Sequence, residues 1–289
     1  MSHCDCIIVN YNAGHFLTDS VQSAFLNGID QVIVVDNHST DDSLTQLNRF
    51  TSPPVTLIRN NKNLGFAAAC NQGLQQSTAE YILFLNPDCQ LSEGALDKMR
   101  DFLASDPRIG MVGGFLCYPD GQEQPGGRRD FPTPKKAILQ ILKKTQLFPQ
   151  LGTDFELHTQ PKPDQPVLVE AISGACMLVK QEALQKVGLW DEGYFLHCED
   201  LDWCMRFQLN NWHIGFVPEA KVIHAKGVCS VKRPLFVEWH KHLGMLRFYK
   251  KFFYKKDPLP LALSVFIGIG LKLIVTLMIK GLKTRFSHD

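Results

Sequence analysis

Residues 81–88, Tyr-Ile-Leu-Phe-Leu-Asn-Pro-Asp, constrain this chain more than any other stretch. Five apolar residues in succession, stopped by Pro87, leave no polar face for water, so they predict a strand covered on both sides, as in a parallel sheet. The run ends in Asp88 at what becomes the carboxyl edge of that sheet, where open α/β folds place their ligands. A carboxylate there can hold a hard divalent cation against phosphate oxygens. Taken alone, Asn86-Pro87-Asp88 reads better as a polar turn. The flanking segments reverse that reading.

Three upstream segments repeat the pattern. Cys6 to Val9 predicts a strand closed by Asn10-Tyr11-Asn12, and Phe16 to Phe25 carries apolar residues at helical spacing. Gln31 to Val35 predicts a second buried strand, followed by Asp36-Asn37-His38-Ser39-Thr40-Asp41-Asp42. Ser39 or Thr40 is placed to cap a helix around Ser43 to Phe50. Val55 to Ile58 predicts a third strand, and Phe66 to Gln76 the helix that leads into the 81–88 run. Strand alternating with helix predicts an α/β fold, mainly a parallel, Rossmann-like wound sheet with right-handed crossovers. Its strands end in Asn10-Tyr11, Asp36-Asn37, Asn60 to Asn63, and Asn86 to Asp88. Parallel strands share one carboxyl edge, so these clusters predict a nucleotide-sized polar site. No Gly-X-Gly-X-X-Gly follows Val9, which argues against a dehydrogenase.

Downstream, Leu91 to Leu103 predicts a helix and Ile109 to Gly114 a buried strand. The segment 118–166 is rich in Pro, Gly and charge; within it Arg128 and Arg129 follow paired glycines. Guanidinium groups make forked bonds to phosphate, so this is either a diphosphate clamp or a solvated basic loop. Lys135 to Phe148 mixes Ile138, Leu139, Ile141 and Leu142 with four lysines and predicts either a membrane-surface helix or an ordinary surface one. Val167 to Val179 predicts two β segments around a Ser-Gly turn, and Ile214 to His224 a last core strand. Glu199, Asp200 and Asp202 crowd the start of a helix, which by itself is ordinary capping, with Arg206 one turn on to pair with Asp202.

Val9-Asn10-Tyr11-Asn12, Val34-Val35-Asp36-Asn37 with Ser39 and Asp41, Asn63-Leu64-Gly65-Phe66-Ala67 with Asn71, and Phe84-Leu85-Asn86-Pro87-Asp88 resemble the family 2 glycosyltransferases, specifically their rhamnosyltransferase-like branch. Gly188-Leu189-Trp190-Asp191-Glu192 and Glu199-Asp200-X-Asp202 extend the likeness to the family's acceptor and base region. The resemblance implies a GT-A fold and inversion at the anomeric carbon of a nucleotide-sugar donor. It implies that Asp36 accepts from a uracil or thymine imide, that Asn10 and Tyr11 line the base, and that Asn63, Gly65 and Asn71 serve the ribose and phosphates. Asp88 matches the last acid of the Asp-X-Asp metal motif, whose first position is Asn86 here; with His224 it would hold Mg2+ or Mn2+. Asp200 would be the general base, supported by Glu199, Asp202, Trp190, Asp191 and Glu192. The branch further implies dTDP-L-rhamnose as donor and a polyprenyl-diphosphate-linked saccharide as acceptor, in surface polysaccharide or cell-wall assembly. A UDP-hexose or UDP-hexosamine fits the same base pocket, and a non-catalytic nucleotide-sugar-binding scaffold is a further alternative. A sugar-phosphate nucleotidyltransferase carries a Gly-rich Arg/Lys loop after its first strand, and Asn10-Tyr11-Asn12-Ala13-Gly14 is not one.

On these readings residues 1–231 are the transferase domain, 1–115 its donor half and 116–231 its acceptor half. Residues 232–289 are a membrane-associating tail. In that tail aromatics alternate with lysines, and Leu259 to Ile279 is almost wholly apolar apart from Lys272. Basic residues flank both of its ends, so a bilayer crossing and an in-plane anchor both stay open. A net charge of +1 excludes a strongly basic nucleic-acid coat protein. Nine irregularly spaced cysteines and an opening Met1-Ser2-His3-Cys4 that runs into a strand predict reduced, buried thiols and no secretory leader. The expected place is the cytoplasmic face of the plasma membrane.

Overall fold

The structure, a computed structural model, describes residues 3–50, 55–144, 156–225 and 233–286. The end of the predicted 135–148 helix and the 231/232 boundary lie outside the described residues. The 81–88 run forms β4 (Tyr81–Leu85), in which Ile82, Leu83, Phe84 and Leu85 are buried. Beside it lie β1 (Cys4–Asn10), β2 (Gln31–Asp36) and β3 (Val55–Arg59) in the order β3-β2-β1-β4, all parallel. Successive residues of a strand face opposite sides, so each strand feeds two cores. Cys6 and Ile8 meet α1 (Phe16–Leu26) through Leu17 and Val21. Ile7 and Val9 meet α2 (Phe66–Leu74) through Ala67 and Cys70.

The helix predicted over 43–50 does not form; the segment makes turns and one short 3-10 turn at Leu47–Arg49. Asn12 Oδ1 takes the N–H groups of Thr40 (2.8 Å) and Asp41 (3.3 Å), and Asp41 Oδ1 takes those of Ser43 (backbone 3.2 Å, hydroxyl 2.6 Å). Side chains thereby claim the donors that a first helical turn would use.

The second half comprises β5 (Cys89–Leu91), α3 (Ala95–Ser105), β6 (Ile109–Cys117), β7 (Arg128–Arg129), α4 (Pro134–Lys144), β8 (Val167–Val169), β9 (Ala171–Ile172), β10 (Cys176–Lys180), α5 (Gln181–Val187), α6 (Glu199–Leu209), β11 (His213–His224), α7 (Pro234–Phe252) and α8 (Leu259–Phe286). The sheet extends as β3-β2-β1-β4-β10-β6-β11-β5, with β8 also on β11 and a small β7-β9 sheet beside it. Strands β1, β2, β3, β4, β6 and β11 point one way, and β5, β8 and β10 the other. Two expectations are corrected. The helix predicted from Leu91 starts at Ala95, because Cys89–Leu91 pairs with the end of β11. The segment 167–179 holds three short strands, since the chain leaves the large sheet at Glu170, whose carboxylate accepts Phe131 N–H at 2.6 Å.

One aromatic cluster positions the chemistry. Trp203 of α6 packs on Trp190 (4.1 Å between centroids) and edge-on to Phe84 of β4 (5.3 Å). Offset and edge-to-face pairs of this kind are favoured by the ring quadrupole. They fix α6 against the sheet with its N-terminus at the carboxyl ends of the strands. The segment read as a separate tail divides in two. Helix α7 packs onto the body, burying Phe248 and Tyr249, whereas α8 leaves a row of large apolar residues exposed.

Candidate active site

Because β5 and β10 are antiparallel to their neighbours, their first residues meet the last residues of β1, β2, β4, β6 and β11 on one edge. On the donor side Asn10 is fully buried, and its Nδ2 lies within 2.8–3.0 Å of Asp36 Oδ1, Ser39 Oγ and Ser43 Oγ. Asp36, also buried, accepts Ser39 N–H through its other oxygen. Asn10 is thus a brace beneath the edge, a correction to its assignment as a base contact; Tyr11, next in the chain, is half-buried. Asn63 Oδ1 accepts Gly65 N–H at 2.9 Å, turning the loop, and Gly65 has φ +88. A Cβ on Gly65 would meet the Phe195 carbonyl oxygen at 2.6 Å. The glycine is required for that contact with the acceptor loop. Asn71 turns to the same loop: Oδ1 accepts Trp190 N–H, and Nδ2 donates to Trp190 O (3.0 Å) and Glu192 Oε1 (2.8 Å).

At the other end of the edge, the β11–β5 register places His224 opposite Cys89 and so beside Asp88. His224 Nε2 is 3.1 Å from Asp88 Oδ1, and His224 Nδ1 is 2.9 Å from Gln124 Oε1. Gln124 Nε2 donates to the His224 carbonyl at 2.6 Å. A carbonyl only accepts, so the amide orientation is settled and Oε1 faces the ring, making Nδ1–H the donor. Nε2 then turns its lone pair toward the Asp88 carboxylate, and a cation or a second ring proton completes the contact. Asp88, Cys89 and His224 offer ligand atoms that all lie within 4.8 Å of one another. Burial raises the Cys89 thiol well above its ordinary value, which leaves a hard cation to oxygen and imidazole. The residues fit a divalent ion held by Asp88 and His224. Replacing Gln124 by leucine is expected to weaken Mn2+ binding about 10–100-fold in calorimetric titration, as loss of a ligand's orienting partner does. Undiminished affinity would reduce Gln124 to a packing residue.

Asp200 is joined to the end of β4 through Gly174 and Ala175. Asn86 N–H, at the end of β4, donates to Ala175 O (2.9 Å), while Gly174 N–H donates to Asp200 Oδ2 (3.2 Å). Asp200 Oδ1 accepts Leu201 N–H at 2.8 Å, and Oδ2 is ion-paired with Arg129. The two arginines expected over a diphosphate are thus placed otherwise. Arg129 turns to Asp200. Arg128 forks onto Glu123 (2.7 and 3.1 Å) and donates to the carbonyls of Gln160 and Pro161. At 4% exposure Arg128 is a structural strut.

Glu199 is buried beside Asp200. Burial first, and then the neighbouring Asp200 charge, push its carboxyl from about 4.5 up to about 8. The folded chain therefore keeps a proton that the unfolded chain releases. This makes stability fall as pH rises from about 4.5 to about 8 and level off above. Glu199→Gln is expected to flatten that decline in Tm between pH 5 and 8, measured by calorimetry. An unchanged slope would assign it to other groups.

The acceptor loop is held from both sides. Trp190, expected to support the acceptor, is 2% exposed and belongs to the core. Burial alone would raise Asp191, but Lys251, Arg247 and Gly193 N–H outweigh it and hold its carboxyl at about 2. Asp202, fully buried, receives Arg206 Nε (2.7 Å), Lys251 Nζ (2.6 Å) and the Tyr194 hydroxyl (3.2 Å). Asp191, Glu192 and Asp202 therefore clamp the loop and α6. Gln124, Lys251 and Arg247 carried no sequence signal for these contacts, because each acts on a partner far along the chain.

A mixed, mainly parallel sheet with an acid-imidazole pair at its carboxyl edge and a second acid on the facing helix defines the GT-A class of glycosyltransferases. The chain belongs to glycosyl transferase family 2. The sequence model "Glycosyl transferase family 2" matches residues 5–188, and "Glycosyl transferase family group 2" matches residues 159–266. Its similarity within the family lies with the rhamnosyltransferase-like branch. It is 28% identical to an N-acetylglucosaminyl-diphospho-decaprenol L-rhamnosyltransferase of Mycobacterium tuberculosis over 70% of this chain and 69% of that protein. It is 24% identical to the dTDP-rhamnosyl transferase RfbF of Shigella flexneri, over 89% of this chain and 81% of that one. Among solved structures it superposes on the mannosyltransferase PcManGT of Pyrobaculum calidifontis, in complex with GDP-Man and Mn2+, with a TM-score of 0.59 and 15% identity, covering 96% of this chain and 72% of that one. It also superposes on GalNAc-T7 with UDP, GalNAc and Mn2+ (TM-score 0.56, 18% identity), covering 78% of this chain but only 44% of that one. At these identities the two structures establish the fold alone.

Proposed function

We propose that this glycosyltransferase moves L-rhamnose, with inversion, from dTDP-L-rhamnose to a hydroxyl of a polyprenyl-diphosphate-linked saccharide at the cytoplasmic face of a membrane. The observation that supports the chemistry is that Gly174 and Ala175 touch both Asp200 and Asn86, two residues before Asp88. The names of the mycobacterial and Shigella relatives support the sugar and, for the first, the lipid carrier. In this reading Asp200 takes the proton of the attacking hydroxyl as the new bond to the anomeric carbon forms and the bond to the diphosphate oxygen breaks. Arg129 and the Gly174 and Leu201 N–H groups hold that carboxylate in one orientation. Glu199, protonated near neutrality, adds no competing charge. Asp88 and His224 would hold a Mg2+ or Mn2+ ion, which when bound offsets the charge left on the nucleoside diphosphate.

A thermal-shift series tests the donor, because a ligand that binds only the folded state stabilises it according to its concentration over Kd. dTDP-rhamnose with Mn2+ is expected to raise Tm more than UDP-glucose or UDP-N-acetylglucosamine. The reverse order would replace rhamnose by a UDP-hexose or hexosamine. Donor binding without turnover across a panel of lipid-linked acceptors would leave a scaffold.

A further inference from the structure

We propose that α7 and α8 form an in-plane membrane anchor, with α8 lying along one leaflet of an anionic bilayer and the acceptor loop brought to that surface. The inference rests on the membrane association proposed above and supplies its geometry. By length and composition residues 259–281 are apolar enough to cross a bilayer, and almost none of that stretch is buried in the protein. Its partner helix decides otherwise. Helix α8 doubles back along α7 and is tied to it near both ends. Phe266 packs edge-on against Tyr249 (5.5 Å) and Tyr254 (5.6 Å), and Lys280 Nζ is 2.7 Å from Glu238 Oε1.

Helix α7 is in turn fixed to the catalytic body. A Cβ on Gly244 would meet the His197 carbonyl oxygen at 2.6 Å, Arg247 pairs with Asp191 at 2.7 Å, and Phe248 is buried. Its 19 residues span about 28 Å, close to the thickness of the hydrocarbon layer. An α8 that crossed the bilayer would therefore carry α7 through beside it. Glu238, Lys241, Arg247, Lys250 and Lys251 would enter hydrocarbon, and the acceptor loop would follow. Hydrocarbon accommodates neither unshielded charge nor irregular backbone.

Lying in the plane removes the conflict. Leu259, Leu263, Ile267, Leu271, Val275 and Ile279 recur every fourth residue and, with Ile274 and Met278, are all exposed, so that the helix offers lipid a broad apolar surface. The adjacent exposed line is Ser264, Gly268 and Lys272, small or polar throughout. Exposed Lys255 and Lys256 sit between the helices, suited to anionic headgroups. A row of large apolar side chains bordered by lysines fits a lipid surface better than a second copy of this chain.

The test uses the full-length chain in cell membrane vesicles of known sidedness, a membrane-impermeant maleimide, and single-cysteine variants in a Cys229→Ser background. The eight other cysteines are buried. Asn48→Cys on the catalytic body, Lys272→Cys and Ser287→Cys are expected to label from the same face, and Leu271→Cys to lose labelling. Protection of Lys272→Cys together with labelling of Ser287→Cys only from the opposite face would establish a crossing helix and overturn the inference alone. Recovery of the chain in the soluble fraction, as monomer or oligomer, would overturn both the inference and the membrane association beneath it.

Discussion

Asp200→Asn is expected to lower kcat for sugar transfer about 10²–10⁴-fold, the range of a positioned general base, while KM for the donor stays near wild type. Asparagine keeps the shape, but its single oxygen can accept from Leu201 or Gly174 N–H and not from both, so proton acceptance is lost together with one of these contacts. The Arg129 ion pair is lost as well, which makes a stability control necessary. A Tm near wild type with transfer abolished isolates the chemistry. Asp200→Glu, which restores a carboxylate, is expected to recover part of the rate. Transfer by Asp200→Asn at the wild-type rate would move the base elsewhere and sink the assignment.

Asp88→Asn is expected to abolish stabilisation by Mn2+ and to reduce transfer about 10²–10³-fold, as removal of a group that stabilises developing charge does. The amide keeps a neutral acceptor facing His224 but not the charge that a hard cation requires. This variant and Asp200→Asn separate two functions. Asp88→Asn loses metal-dependent donor binding, measured by titration of donor with and without Mn2+, whereas Asp200→Asn keeps it. Retention of full Mn2+ affinity by Asp88→Asn would place the ion on other residues.

The linear chain already specified the donor half. Apolar runs of strand length between helical segments leave few alternatives to a wound parallel sheet, and β1 to β4 pair as that pattern requires. It also specified which polar clusters share an edge, because strand direction alone decides that. Failures occurred where side chains compete with local propensity. At 39–43 hydroxyls and carboxylates consumed the donors of the expected helix. Asn10, Asn71 and Arg128 are polar residues in suggestive motifs whose hydrogen bonds turn inward, and residue type does not reveal direction.

What the sequence by itself determined is the fold class and the sheet edge on which its polar clusters gather, Asp88 among them. Only the tertiary structure decided what surrounds them. Gln124 reaches His224 across 100 residues, Arg129 reaches Asp200 across 71, and α7 returns to clamp Asp191 across 56. Such partners are chosen by packing of the whole chain. A side chain's neighbours in space depend on every intervening turn, whereas strand direction and burial depend on a few adjacent residues, and only the latter are written locally.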